Sequence, residues 1–185
     1  PDDPVIQTYA KIFPNLFHPL DEMGDDLLAH IRYPDDLFRA QTQLYATYHM
    51  KEPATFYPRE DQWQIPVVGL GEGIRDPYLR HMVMRLPGEL QEEFIIMTPF
   101  TPRGKHNLAA WMVVRNDGED YGQLVVYRFP RQSLVFGPTQ IVNRINQDTE
   151  ISRQITLWDQ AGSEVIRGNL LVIPIEEALL FVQAL

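Results

Sequence analysis

The chain has 185 residues, of which 44% are hydrophobic and 22% are charged, and its formal net charge is −9 at pH 7. These values are typical of a globular protein that buries a sizeable core, and they exclude wholesale disorder. The negative charge argues against a nucleic-acid partner, because affinity for nucleic acid arises mainly from neutralisation of phosphates.

Residues 1–50 are predicted to form helices. The stretch "PVIQTYAKIF" has an amphipathic pattern, and "DDLLAHI" begins with two aspartates that suit a helix N-terminus. A third helix is predicted from Pro34 onward, since proline followed by aspartates favours a first helical turn. The spacing of its aromatic residues favours core packing over ligand contact. Its predicted buried face comprises Leu37, Phe38, Gln41, Leu44, Tyr45 and Tyr48.

A Pro-rich and Gly-rich connector, residues 51–77, is predicted to join this helical front to a β-rich part, residues 78–185. Apolar runs between turn signals predict five or six strands in the β-rich part. Reversals at Pro87-Gly88 and Asn116-Asp117-Gly118 favour antiparallel neighbours. Some runs, such as "LAAWMVV", are apolar at successive positions, so both faces of the sheet are expected to be covered.

A helical pair is predicted near residues 138–160, and it interrupts the strands. Asp148 suits the N-cap of the second helix, and Gly162 suits its end. Taken together, the patterns predict a single α+β domain over residues 1–185. Its mostly antiparallel sheet has helices packed on it.

The candidate catalytic residues are His49, Glu60 and Asp61. The two carboxylates lie in "YPREDQW", beside Arg59 and between aromatic residues. Imidazole and carboxylate groups are common general acids and bases, so a hydrolase site is predicted if the three side chains converge. The alternative is a structural cluster that satisfies its own charges, which the adjacency of Glu60 and Asp61 favours. A serine hydrolase lacks support, because no Gly-x-Ser-x-Gly motif surrounds Ser133, Ser152 or Ser163.

The candidate metal ligands are Asp117, Glu119 and Asp120 in "NDGEDYG", with the side chain of Asn116. Their oxygens suit Ca²⁺, but the spacing is not that of a calcium loop, and a hairpin turn is the alternative. The chain has no cysteine, and its five histidines are dispersed without a zinc motif. We predict no metal and no cofactor.

The glycines of "GLGEG" (Gly69, Gly71 and Gly73) lack both phosphate-binding fingerprints. A flexible loop is the favoured interpretation of this stretch.

Several blocks in order, including "FPNLFHPLDEM", "FYPREDQW" and "EEFIIMTPFTPRGKHNLAAWMVVRNDGEDYGQLVVYRFPR", closely resemble uncharacterised protein family 0182. The resemblance extends from about Phe13 to Leu185. It is poorest in "VVGLGEGIRDP", and Thr149 stands where the family pattern has proline after the N-capping Asp148.

The resemblance implies a location rather than an activity. Members resemble bacterial integral membrane proteins with several N-terminal spans and a large extracytoplasmic region, of which this chain would be a segment. A start at Pro1 without methionine and an end at Leu185 inside an apolar run are expected of such a segment. The family carries no catalytic or binding residue over to this sequence.

The leading interpretation is a non-catalytic extracytoplasmic interaction or structural domain of a bacterial membrane protein. The alternative is an envelope enzyme, a hydrolase that uses His49, Glu60 and Asp61. The expected partners are the rest of the membrane-spanning parent chain and an envelope protein. Self-association through the apolar final strand is also expected.

Overall fold

A computed structural model describes residues 3–70, 74–130, 132, 134–175 and 178–184. The chain divides into two compact units between Arg32 and Tyr33. The first unit contains both predicted helices, α1 (Pro4–Ile12) and α2 (Asp25–Leu28). Asp3 caps α1, because its Oδ1 accepts hydrogen bonds from the backbone amides of Val5 and Ile6, at 2.8 and 3.1 Å.

The second unit begins with the third predicted helix, α3 (Asp35–Tyr48). The side chains that α3 buries lie four residues apart: Phe38, Thr42 and Ala46. The prediction of its buried face is wrong for three exposed residues: Leu37, Leu44 and Tyr48. The Thr42 hydroxyl donates to the Arg39 carbonyl at 2.9 Å, so its burial leaves no unsatisfied donor.

The predicted strands and the predicted helical pair are present in the second unit. In chain order the elements after α3 are α4 (Pro53–Phe56), β1 (Trp63–Gln64), β2 (Val67–Leu70), β3 (Ile74–Pro77), β4 (Arg80–Arg85), β5 (Glu92–Pro102), β6 (Ala110–Arg115), β7 (Leu124–Arg128), α5 (Pro138–Gln147), α6 (Thr149–Trp158), β8 (Leu171–Ile175) and β9 (Ala178–Val182). This is the predicted α+β class.

Five of the strands form one antiparallel sheet, with β5 at its centre. Strand β5 pairs with β1, β4 and β6, and β6 also pairs with β7. Both predicted reversals connect neighbouring strands of this sheet, and each contains a glycine in the left-handed region, Gly88 at φ +88° and Gly118 at φ +65°. Strands β2 and β3 form a separate hairpin, as do β8 and β9.

Apolar side chains cover the two faces of the sheet, as the doubly apolar strands predict. On one face Phe38 of α3 packs with Ile96 and Phe100. On the other face Ile95, Met97, Leu86, Trp111 and Val113 form a second cluster. Alternate residues of β5 therefore enter different cores, and all but the last residue of β6 are buried.

Tyr78 attaches the β8–β9 hairpin to the rest of the unit. Its hydroxyl donates to the Leu170 carbonyl at 3.0 Å and accepts from the Val172 amide at 3.1 Å. Burial raises the pKa of Tyr78 to about 12, so the phenol is neutral. Among the described residues, every helix is too short or too polar to cross a membrane.

Candidate functional site

His49, the first catalytic candidate, lies directly after α3 and is buried against aromatic rings. Its imidazole stacks on Trp63 at 3.8 Å between ring centroids, and the Trp63 and Phe100 ring centroids are 5.4 Å apart. The Tyr45 carbonyl lies 3.1 Å from His49 Nδ1. We call these four side chains, Tyr45, His49, Trp63 and Phe100, the aromatic cluster. Only 6% of His49 is exposed, so its ring is part of the core.

Burial makes His49 harder to protonate. Loss of hydration lowers the pKa of His49, and it outweighs the Tyr45 carbonyl and the Asp61 carboxylate, which both raise that pKa. Its Nε2 is buried and makes no hydrogen bond of good geometry with the described part of the chain. The Asp61 backbone is close enough to raise the pKa of His49 slightly. The imidazole therefore favours the neutral form.

Glu60 and Asp61, the other catalytic candidates, have different surroundings. Asp61 is partly buried and close enough to His49 to act on its pKa, whereas Glu60 is exposed. The turn that carries them contains Arg59 in the left-handed region, at φ 57°. The structure thus places the Asp61 carboxylate near the buried imidazole of His49. A hydrolase role for the three residues stays a prediction.

The metal candidates lie in the reversal between β6 and β7, where two of the four side chains maintain the turn. Asn116 Oδ1 accepts from the Tyr33 amide at 2.6 Å, and its Nδ2 donates to the Val114 carbonyl at 3.0 Å. Asp117 Oδ2 accepts from the Phe94 amide at 2.6 Å. Within the described ranges, no three His, Asp or Glu residues are arranged to hold a metal ion. Asn116 and Asp117 thus bind backbone groups of neighbouring segments, and a metal role for the candidates stays a prediction.

Arg115, at the end of β6, is a functional candidate that the sequence did not single out. Its Nε donates to Glu93 Oε2 at 2.8 Å, and its Nη1 lies 3.1 Å from both Glu89 Oε1 and Asp120 Oδ2. The hydrogen bond to Glu93 is the main reason that the pKa of Arg115 is raised, and it outweighs desolvation. The Arg115 guanidinium thus forms ion pairs with three carboxylates.

These residues line an open pocket of about 570 Å³ between two turns of the sheet. We call it the acidic pocket; its lining residues are Gly88, Glu89, Leu90, Gln91, Glu92, Glu93, Arg115, Asp117, Gly118, Glu119 and Asp120. Glu93 forms its most buried charged position, since 7% of its side chain is exposed. Its Oε2 contacts Arg115, but its Oε1 is buried and has no hydrogen-bond partner among the described residues.

A sequence signal for this pocket exists in the alternation of two strands. Glu93 shares the face of Ile95 and Met97, and Arg115 shares the face of Val113. Since Arg115 lies opposite Ile95 in the register, Glu93 and Arg115 form a diagonal pair. A carboxylate and a guanidinium at core-facing positions of neighbouring strands predict a buried ion pair.

The other residues considered from the sequence have local roles or lie outside the described residues. Gly69 belongs to the β2–β3 hairpin, whereas Gly71, Gly73 and Ser133 are not among the described residues. The hydroxyls of Ser152 and Ser163 donate to nearby backbone carbonyls. His81 lies 2.9 Å from Asp35, away from the other candidates.

The family model described as "Uncharacterised protein family (UPF0182)" matches residues 1–158. The chain belongs to UPF0182. It is 55% identical to a UPF0182 protein of Desulforamulus reducens and 55% identical to one of Methanospirillum hungatei, in both cases over 100% of the chain. It is 56% identical to UPF0182 protein GSU2333 of Geobacter sulfurreducens, also over 100% of the chain.

The UPF0182 chain spans about a fifth of these relatives, since it covers 20% or 21% of their length. The relatives come from bacteria and archaea. No solved structure matches the chain. The acidic pocket and the aromatic cluster therefore have to be interpreted from their own geometry.

Proposed function

We propose that this UPF0182 segment is a non-catalytic interaction or structural domain on the extracytoplasmic side of a longer bacterial or archaeal membrane protein. The observation that carries the proposal is the contrast between its two candidate sites. The aromatic cluster is closed, whereas the acidic pocket is open and has more carboxylates than cations. Open surface charge suits binding, and a stacked neutral histidine suits packing.

The proposed location rests on the family resemblance and on the length of the relatives. Members resemble proteins with several N-terminal spans before a large extracytoplasmic region. The chain covers about a fifth of its relatives, and the proposed membrane attachment lies in the rest of the parent protein. We expect the partners of this segment to be the rest of the parent chain and an envelope protein, and its charge of −9 opposes binding to nucleic acid.

Labelling of introduced cysteines tests the location, because the chain has no cysteine of its own. Leu90→Cys and Tyr57→Cys place a thiol at residues that are 93% and 83% exposed. In spheroplasts that express the full-length parent, a membrane-impermeant maleimide should label both variants without lysis. The parent protein without the added cysteine is the control. Labelling that requires lysis would show the segment to be on the cytoplasmic side.

A hydrolase is the second candidate function, and the observation that favours it is the action of the Asp61 charge on His49. A carboxylate beside an imidazole can orient it as a general base. Turnover of p-nitrophenyl esters by the 185-residue chain tests this function. Hydrolysis that His49→Gln abolishes and Glu52→Gln preserves would support the enzyme and oppose the non-catalytic proposal.

Self-association through β9 is a further part of the proposed function. In the described residues β9 pairs with β8 alone, and Leu180 and Val182 are 47% and 43% exposed. An uncovered strand edge beside apolar side chains can pair with a second copy. Sedimentation velocity over a hundredfold concentration range should show an increasing mean mass, and a monomer throughout the range would refute this part.

A further inference from the structure

We infer that the acidic pocket binds a basic side chain, arginine or lysine, presented by a polypeptide partner. The inference rests on the proposed function in one respect, that the domain acts by binding. It adds the binding site and the chemical class of the partner.

The pocket has an excess of negative charge. Arg115 is the cation among its lining residues, and the carboxylates around it are Glu89, Glu92, Glu93, Asp117, Glu119 and Asp120. Three of them contact the guanidinium directly, so even this inner group has a net negative charge. Glu89 and Asp120 remain 43% and 47% exposed while they contact Arg115, and a ligand can reach them from solvent. A second cation would therefore be attracted.

Glu93 gives a second and independent indication of a ligand. Its side chain is 93% removed from solvent and lines the pocket, and no donor in the described part of the chain bonds its Oε1. Buried carboxylate oxygens are normally hydrogen-bonded, and an unsatisfied one is destabilising. An incoming N–H group that reaches Oε1 from the pocket would satisfy it.

The existing contacts favour an N–H cation over a metal ion. The carboxylates already accept N–H donors from Arg115 at 2.8–3.1 Å, and Asp117 accepts the Phe94 amide at 2.6 Å. No set of three ligands for a metal occurs in the described ranges of the chain. Guanidinium and ammonium groups bind carboxylates in this way, and a guanidinium can contact two of them at once.

The shape of the pocket favours a long side chain on a polypeptide. Its volume of about 570 Å³ exceeds the need of an isolated ammonium ion. Leu90 at its rim is 93% exposed and offers apolar surface. Arginine and lysine have aliphatic stems that cover such surface while the charged end reaches the carboxylates.

The test is an NMR titration of the 185-residue chain with blocked pentapeptides. The probes are acetyl-Ala-Gly-Arg-Gly-Ala-amide, its lysine counterpart, and its citrulline counterpart, which has nearly the same shape without the charge. The arginine and lysine peptides should shift the backbone amides of residues 88–93 and 115–120. The citrulline peptide should bind at least roughly tenfold more weakly than the arginine peptide, as expected for the loss of one charged hydrogen-bonded pair.

Matched variants separate the pocket from the general acidity of the chain. Asp120→Asn and Glu89→Gln, at half-exposed positions that do not threaten folding, should each weaken the arginine peptide several-fold. Glu52→Gln removes the same charge from an exposed residue outside the pocket and should leave binding unchanged. Equal losses in all three variants would overturn the inference.

Other outcomes also decide the matter. Binding of citrulline as tight as that of arginine, or shifts that map elsewhere, would refute it. Free arginine or spermidine that binds as tightly as the peptide would assign the pocket to small cations, and Ca²⁺ that displaces the peptide would assign it to a metal. Failure here leaves the labelling test of the proposed location untouched, so the two failures are distinguishable.

Discussion

The aromatic cluster and the acidic pocket each bury an ionisable group, and they stabilise it in opposite ways. At His49, loss of hydration dominates, and it lowers the pKa despite a carbonyl and a carboxylate nearby. At Arg115, the hydrogen bond to Glu93 dominates, and it raises the pKa despite desolvation. The cluster therefore favours a neutral imidazole, whereas the pocket favours a charged guanidinium.

This difference teaches which region is suited to binding. The His49 ring is stacked at 3.8 Å on Trp63 and only 6% exposed, so it offers little surface to a ligand. In the pocket, Arg115 is held by its hydrogen bond to the buried Glu93, while the carboxylates of Glu89 and Asp120 stay about half exposed. The catalytic candidate His49 thus lies in a core-like setting, and the reversal that holds the metal candidates contributes to an open, charged pocket.

The largest expected effect is that of Trp63→Ala, which removes the centre of the aromatic cluster. Trp63 is 7% exposed and contacts both His49 and Phe100, so the free energy of unfolding should fall by about 3–5 kcal/mol. Denaturant midpoints of the variant and the parent measure this change. Tyr57→Ala, at an 83% exposed position, should change stability by less than about 0.5 kcal/mol. Similar losses in both variants would show that the cluster is not a packed core.

Arg115→Met should have the next largest effect, because it leaves Glu93 buried without its counter-charge. A loss of about 3 kcal/mol is expected for breaking a buried pair from one side. Guanidinium-free urea denaturation avoids screening of the charges. Arg85→Met, on an exposed residue of β4, is the matched control and should be nearly neutral.

A double variant shows where that loss originates. Adding Glu93→Met to Arg115→Met removes the unpaired charge and should recover most of the stability. If the double variant is less stable than Arg115→Met alone, the cost comes from lost packing of the arginine stem, and the pocket is not an ionic site.

The fold could be predicted from sequence where local signals decide it. Turn residues and apolar runs gave the antiparallel neighbours, and Asp148 marks the start of α6 because its Oδ1 accepts the Glu150 and Ile151 amides at 3.0 Å. The buried face of α3 was predicted less well. The pattern of large side chains favoured Leu44 and Tyr48, but both are exposed, and the helix buries Phe38, Thr42 and Ala46 instead. Side-chain size alone therefore did not identify the buried face.

The acidic pocket was missed because its residues are distant in sequence. Glu89 precedes Asp120 by 31 positions. Glu89 meets Arg115 only because β5 pairs with β6, whereas Asp120 follows Arg115 in the same reversal. Register of this kind depends on tertiary packing, which a single sequence does not specify. The alternation of each strand places Glu93 and Arg115 on core-facing sides, but their pairing depends on the register between β5 and β6.

Tyr78→Phe extends the comparison to a buried polar group that has both of its hydrogen bonds. The change leaves the Leu170 carbonyl and the Val172 amide unpaired, so a loss of about 2 kcal/mol is expected. Thermal unfolding measures it, and hydrogen exchange should show faster opening of β8. Tyr48→Phe, at a 67% exposed residue, should be silent. Equal stability of both variants would mean that the hairpin is held by apolar packing alone.

The smallest expected effect is the dependence of stability on pH that comes from His49. Because its pKa in the folded state lies below the unfolded value of about 6.5, the unfolded chain binds more protons between those two values. The contribution of His49 is therefore fully present above about pH 6.5 and is lost as the pH falls towards the folded pKa, with a slope of at most about 1.4 kcal/mol per pH unit.

His49→Phe preserves an aromatic ring beside Trp63 and removes the titration. The difference in unfolding free energy between the parent and His49→Phe, measured from pH 8 to pH 5, should shift in favour of the variant below pH 6.5. A difference that stays constant over this range would show that the ring takes up a proton as easily in the folded chain as in the unfolded one, and the contrast between the aromatic cluster and the acidic pocket would fail at its neutral half.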